Sequence, residues 1–374
     1  MLRAALRLTA GSVTLAAGGW ALRALHGAPE ALGAHPGAVR AVTERSPNCR
    51  DGVFANLDPA SSSSSGPDRQ QLAMIAWEFI GGRAHSRPAA PIPLASPGKF
   101  EGDTSRLAVT WLGHSTALLE VDGYLVLTDP VWSNRCSPSD VVGPERLHPP
   151  PMELDALPAV DAMVISHDHY DHLDIDTVLA LARTQRAPFF VPLGVGAHLR
   201  SWGIPDHRIV ELDWNESGDV GDLKLICLPA RHFSGRFLDR DTTLWASWGI
   251  VGPSRRVYFG GDTGYTESFA QIGTDHGPFD VTLLPVGAYN PAWPDIHMNP
   301  EDAVRAHLDL TASGSGSLVP IHWATFRLAP HPWAEPVERL LVSAEDAGVT
   351  VAVPAPGQRI DPSEPARFNP WWRL

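Results

Sequence analysis

Between Ser166 and Asp174 the chain reads Ser-His-Asp-His-Tyr-Asp-His-Leu-Asp. His167, His169, Asp171 and His172 form the pattern H-x-H-x-D-H. The apolar run at 162–165 before them reads as a short buried strand, and 176–182 after them as a helix with an aspartate at or near its N-cap. The ligand-type side chains then occupy a tight loop at the carboxyl end of a strand. In such a loop His167 and His169 can reach one metal ion, and the adjacent Asp171 and His172 a second. Imidazole and carboxylate at this density suit zinc, with manganese or iron as weaker alternatives. The bland alternative is a solvated turn rich in histidine, and four metal-competent residues within six positions weigh heavily against it.

One loop supplies too few ligands for two ions, and further donors follow strand-like runs downstream. His232 in Pro229–Phe233 can complete the first set of nitrogens, and His322 in Pro320–Trp323 the second. Asp262 stands in Phe-Gly-Gly-Asp-Thr-Gly-Tyr, where glycines allow close backbone approach, so its carboxylate can bridge both ions. His297 precedes Asn299-Pro300-Glu301-Asp302, which has the form of a helix start. That position suggests contact with a phosphate at the helix N-terminus, with no metal bound. His114 and Asp129 also follow strand-like runs and are expected to orient the ligands from behind.

The elements that must carry these groups alternate. Strands are expected at 108–112, 117–121 and 124–128, with Asp122-Gly123 as the turn of a hairpin. More are expected at 223–228, 256–259, 281–284 and 318–321, and helices at 176–184, 300–310 and 334–347. This is a strand-rich α/β chain whose functional groups collect at one strand edge. The formal net charge of −13 argues against a nucleic-acid partner. It leaves room for a phosphate substrate, because bound divalent ions reverse the local field. Cys49, Cys136 and Cys227 are odd in number and widely spaced, so neither a disulfide framework nor a cysteine zinc motif is expected.

Residues 1–100 read as an extension and 101–374 as the catalytic domain. The extension holds a weakly apolar run from Leu8 to Leu22 flanked by arginines, five serines at 61–65, an apolar helical stripe at 72–80 and a proline-rich arm at 83–97. Residues 24–68 are expected to be poorly structured. The Leu8–Leu22 run is short and diluted for a membrane span, yet membrane association through it is favoured over a cytoplasmic form.

The ordered set of H-x-H-x-D-H, His232, Asp262 and His322 resembles the metallo-β-lactamase superfamily. Trp-Leu-Gly-His-Ser-Thr at 111–116, Leu-Thr-Asp-Pro-Val-Trp-Ser at 127–133 and Gly-Pro-Glu-Arg at 143–146 narrow the likeness. With 165–174, 259–265, 285–289 and 321–326 they resemble the N-acylphosphatidylethanolamine-hydrolysing phospholipase D family over about residues 100–345. The resemblance implies an αβ/βα sandwich with two zinc ions per chain. His167, His169 and His232 match the ligands of one ion, Asp171, His172 and His322 those of the other, Asp262 the bridge, and His297 a histidine at the phosphate. Asp262 and His297 are then the catalytic pair. A phospholipid or other phosphodiester substrate and a homodimer follow as expectations, whereas a membrane surface is expected from the Leu8–Leu22 run and not from the resemblance. Phe233, Ala324 and Ile296 depart from the family's tryptophan, glycine and glutamine.

Zinc-dependent hydrolysis of N-acylphosphatidylethanolamine to phosphatidic acid and an N-acylethanolamine is the reading these residues favour. A soluble phosphodiesterase or a sugar-phosphate lactonase on the same scaffold is the nearest alternative. A non-catalytic binding module of the same fold predicts lost ligands, and all seven are present. Because the ligands and His297 lie downstream of Leu107, a chain beginning there is expected to keep hydrolysis of small soluble diesters.

Overall fold

A computed structural model of the chain describes residues 19–20, 23–58, 85–98, 104–236, 239–311, 314–362 and 369–374. Two seven-stranded sheets face each other. The first is opened by β3 (Leu107–Gly113), β4 (Thr116–Val121) and β5 (Tyr124–Thr128), consecutive antiparallel strands. It continues in parallel through β6 (Ala162–Val164), β7 (Phe189–Pro192) and β8 (Ile209–Leu212). The second holds β9 (Ser217–Val220), β10 (Leu223–Leu228), β11 (Ser247–Val251) and β12 (Arg256–Phe259). It is completed by β13 (Val281–Pro285), β14 (Ser317–Ile321) and β15 (Thr350–Val351). A last short strand, β16 (Arg359–Ile360), crosses back and pairs with β3 in the first sheet.

The two-residue period of a strand divides each apolar run between two cores. Leu119, Val126, Val164 and Phe190 turn inward, where they join Leu225, Trp248, Phe259 and Leu283 of the second sheet. Their neighbours Leu118, Leu127, Met163 and Phe189 turn outward. There they meet Val178 and Leu181 of the helix Ile175–Thr184 and Leu199 of the helix Val195–Ser201. Runs that look uniformly hydrophobic in sequence are thus buried on both faces, as in parallel sheets. The outer face of the second sheet carries the helices Ser268–His276, Pro300–Thr311 and Glu335–Ala347. This is the αβ/βα sandwich that the sequence implied.

Every strand and helix named in advance within 101–374 forms, to within two residues at each end. β7, β8, β9, β11 and the helices at 195–201 and 268–276 were not anticipated. They are too short to show a period, or carry glycine where propensity argues against them. Residues 24–68 require a correction. Within them, helices at Ala28–Leu32 and Pro36–Thr43 and a small hairpin of β1 (Cys49–Arg50) and β2 (Val53–Phe54) are ordered. They bury Ala31, Val39 and Phe54. With so few apolar contacts, their order rests largely on proline at the helix starts and on polar ties to the domain. The serine tract and the 72–80 stripe lie outside the described residues, as does most of Leu8–Leu22. Among the described residues no helix is long and apolar enough to cross a membrane.

The carboxyl end closes on the site as well. Trp371 packs on Trp323 with ring centres 5.2 Å apart, and Trp323 stacks on Trp111 at 5.9 Å. Trp111 and Trp323 lie beside His114 and His322 in the chain.

Candidate metal centre

All the expected donors arrive at one edge of the sandwich. The H-x-H-x-D-H loop follows β6, His114 follows β3 and Asp129 follows β5. From the facing sheet, His232 follows β10, Asp262 follows β12 and His322 follows β14. The histidine loop is a tight turn, with the backbone N–H groups of His172 and Leu173 both donating to the His169 carbonyl. Gly261 lies in the left-handed region at φ +57, and a Cβ there would stand 2.4 Å from that of Ser166. The Asp262 loop therefore approaches the histidine loop as closely as only glycine permits. Several non-glycine residues at this edge also have positive φ: His114 (54°), Asp129 (32°), His322 (59°) and Ala324 (59°). Such backbone is sparsely populated and clusters where a site is held in shape. The left-handed backbone at Ala324 accounts physically for the glycine that the resemblance had led us to expect there.

Two overlapping sets of donors result. His167 Nε2 lies 2.8 Å from His169 Nδ1, which lies 3.3 Å from His232 Nε2. In the second set, Asp171 Oδ2 lies 3.3 Å from His322 Nε2 and 3.4 Å from His172 Nε2. Asp262 Oδ2 stands between the sets, 3.0 Å from His322 Nε2, 3.2 Å from His172 Nε2 and 3.8 Å from His232 Nε2. His114 comes nearer than the expected supporting place. Its Nε2 donates to Asp171 Oδ2 at 3.0 Å, and it joins Asp171, His172 and His322 as a group of donors within 4.8 Å of one another.

The protonation pattern fits bound ions. His172 Nδ1 donates to Asp129, His232 Nδ1 donates to the Ile296 carbonyl at 2.8 Å, and His167 Nδ1 donates to Ser166 Oγ at 2.9 Å. With each Nδ1 so engaged, Nε2 is the nitrogen aimed into the cluster, the arrangement that orients metal-bound histidines. His172 Nε2 and Asp262 Oδ1 are buried without a hydrogen-bond partner, which divalent ions would relieve. Ser166 in turn donates its N–H and its hydroxyl to Asp129.

Charges divide in the same way. Burial holds His167 and His232 well below the ordinary imidazole value, and brings His114 down to about 3. Burial also disfavours charge on His172 and His322, but Asp262 and Asp171 outweigh it, raising His172 well above normal and His322 to about 9. Against burial, His172 leads the partners that keep Asp171 and Asp262 ionised, both well below the usual carboxylate range. The metal-free cluster thus holds protons on His172 and His322, beside Asp171 and Asp262.

His297 lines a cavity of about 720 Å³ whose walls also include Tyr289, Pro294, Asn299, Glu335 and Arg339. Its Nδ1 is 3.9 Å from Asp262 Oδ2 and has no hydrogen-bond partner. Burial lowers His297 to about 4, so near neutrality it is a neutral imidazole. The helix start behind it forms as expected, with Asn299 Oδ1 accepting the Asp302 N–H at 2.9 Å. It does not form a free anion site, however. Asn299 already caps it, and Glu301 and Asp302 stand in its first turn, where their charge opposes a phosphate.

Other residues of the site had gone unread. Asp168, inside the motif, accepts from the Gly235 N–H at 2.7 Å and the Thr243 hydroxyl at 2.9 Å, tying the histidine loop to the loop of His232. Arg236 donates to the carbonyls of Asp168 and Leu173, and to that of Ala31 in the extension. The place of Asp168 between two ligands was a usable signal. Nothing near Arg236 in sequence announces its role.

Residues 124–323 match the family described as Beta-lactamase superfamily domain, and the chain belongs to that superfamily. With this fold and the His/Asp cluster, it is a metal-dependent hydrolase. It is 73% identical to an uncharacterized protein of Mycobacterium tuberculosis over 374 residues, all of both chains. It is 41% identical over 249 residues to an N-acyl-phosphatidylethanolamine-hydrolyzing phospholipase D of Caenorhabditis elegans, covering 63% of this chain and 69% of that one. Among solved structures it resembles a metallo hydrolase of the archaeon Ignicoccus hospitalis, with a TM-score of 0.53 and 25% identity over 68% of this chain and 97% of that one.

Proposed function

We propose that the protein is a phospholipase D-type phosphodiesterase that hydrolyses N-acylphosphatidylethanolamine to phosphatidic acid and an N-acylethanolamine. The observation that carries this reading is the convergence of both donor sets on Asp262 Oδ2, directly beside His297 and its cavity. The similarity to the nematode phospholipase D supports it. His167, His169 and His232 would hold one ion, Asp171, His172 and His322 the other, and Asp262 both. Two zinc ions so held would supply Lewis acidity and activate water as a nucleophile near neutral pH. His297, neutral and unpartnered at Nδ1, is placed to hydrogen-bond a phosphoryl oxygen as charge develops on it. Asp129 holds the ring of His172, and Ile296 that of His232, so neither needs to reorient during the reaction.

Contact with a membrane belongs to the same proposal. Trp20 and Leu25 are 59% and 68% exposed at the carboxyl end of the apolar N-terminal run. The test is to supply N-acylphosphatidylethanolamine in vesicles to the zinc-loaded full chain and identify products by mass spectrometry. An N-acylethanolamine with phosphatidic acid is expected; lactone opening without diester cleavage would overturn the reaction type. A second reading, a soluble phosphodiesterase, is favoured by the charged side chains Asp302, Glu335 and Arg339 in the cavity wall. It predicts turnover of small diesters and none of vesicles.

A further inference from the structure

We infer that Asn56, in the amino-terminal extension, is a positioning residue for the metal ligand His232. The ladder between β10 and β11 ends at Leu228, paired with Ser247, so His232 lies beyond the last strand pairing. It is nonetheless 1% exposed, and its buried backbone groups need partners. Asn56 supplies both of them. Its Nδ2 donates to the His232 carbonyl at 2.9 Å, and its Oδ1 accepts the His232 N–H at 3.0 Å. The indole N–H of Trp245 donates to the same Oδ1 at 3.0 Å. Two N–H donors on one side and a carbonyl on the other leave a single orientation for the amide, which no carboxylate can reproduce.

The ring of His232 is fixed independently, through Nδ1 and the Ile296 carbonyl. Backbone and ring are thus held by separate partners, and the remaining nitrogen lies with those of His167 and His169. Asn56 is itself anchored. Two residues before it, Phe54 is buried and donates its N–H to the Asp241 carbonyl at 2.8 Å. Two residues after it, Asp58 accepts from the Thr266 hydroxyl. A segment 176 residues away in sequence therefore completes the first donor set.

The inference rests on His232 being a metal ligand and is independent of the substrate. Zinc binding to the metal-free full chain, read by competition with a chromophoric chelator, tests it. Asn56→Asp keeps the size of the side chain but sets an oxygen against the His232 carbonyl, and Asn56→Ala removes the bonds without adding charge. Both should weaken one of two zinc sites by about 10–100-fold and leave the other unchanged, as for other groups that orient a ligand. Asn48→Ala, which removes a tie of the extension to Asp213 and touches no ligand, should bind zinc as the wild type does. Circular dichroism of the metal-free proteins confirms that each is folded. Two unaltered sites in Asn56→Ala would overturn the inference, as would an equal loss in Asn48→Ala. Failure of the wild-type chain to bind zinc would instead sink the metal reading on which it stands.

Discussion

His172 Nδ1 and Asp129 Oδ2 are 2.6 Å apart, and both side chains are fully buried. The carboxylate fixes which nitrogen of His172 carries the proton, and so which faces the cluster. Asn in place of Asp129 keeps the shape but removes the charge and the preference for that tautomer. Asp129→Asn is expected to lower zinc affinity at one site by about 10–100-fold with the fold intact. Equilibrium dialysis against a metal buffer measures it, and unchanged affinity would remove Asp129 from the site.

Asp262→Ala takes away the oxygen that both donor sets share. Turnover should fall by more than about 100-fold, beyond what loss of a supporting group costs, and zinc content by elemental analysis should drop below two per chain. Near-normal turnover in this variant would refute the bridging role.

His297→Ala should behave differently, because His297 lines the cavity, although it also stands within 4.8 Å of the donor atoms of His232 and Asp262. Zinc content is expected to stay unchanged while kcat falls about 10²–10³-fold, the cost of removing one donor to a developing oxyanion. Loss of zinc along with activity would show that His297 is a ligand.

Zinc binding should depend on pH in a direction set by His322. In the metal-free chain its value is raised to about 9, so it is protonated at neutral pH and zinc must displace that proton. Apparent affinity should therefore rise with pH until about 9 and then level. Calorimetry in buffers of different ionisation enthalpy would count the protons released, and none released at pH 7 would contradict the protonated site.

A chain beginning at Leu107 was expected to keep its soluble chemistry, because every ligand lies downstream. The ties from Asn56 to His232 and from Arg236 to Ala31 change that expectation. The shortened chain should bind zinc more weakly than the full chain, even where circular dichroism shows it folded. Equal binding by the two would show that the extension is dispensable for the site.

The seven candidate donors were readable because metal chemistry confines the choice to a few residue types, and each stands just after an apolar run long enough to be a strand. Asp129 was readable for the same reason. Asn56 was not, since an asparagine in a polar stretch has many ordinary uses and its partner is distant in the chain. The cavity was equally hidden: Tyr289 and Pro294 come from one loop, Glu335 and Arg339 from one later helix, and they meet only in the folded molecule. His297 was found through its neighbours, yet the acidic first turn behind it, plain in Glu301 and Asp302, had been read as a helix signal and not as a charge.

The donors come from both sheets, and the last of them, His322, is separated from the first loop by most of the second sheet. During synthesis, a nascent chain that has exposed only its first half presents the histidine loop without the groups that complete either set. Full metal loading must therefore follow translation of residue 322 and closure of the two halves. The supply of metal then meets a nearly finished protein, and cells short of that metal would accumulate chains that are complete in sequence, folded in outline and inactive.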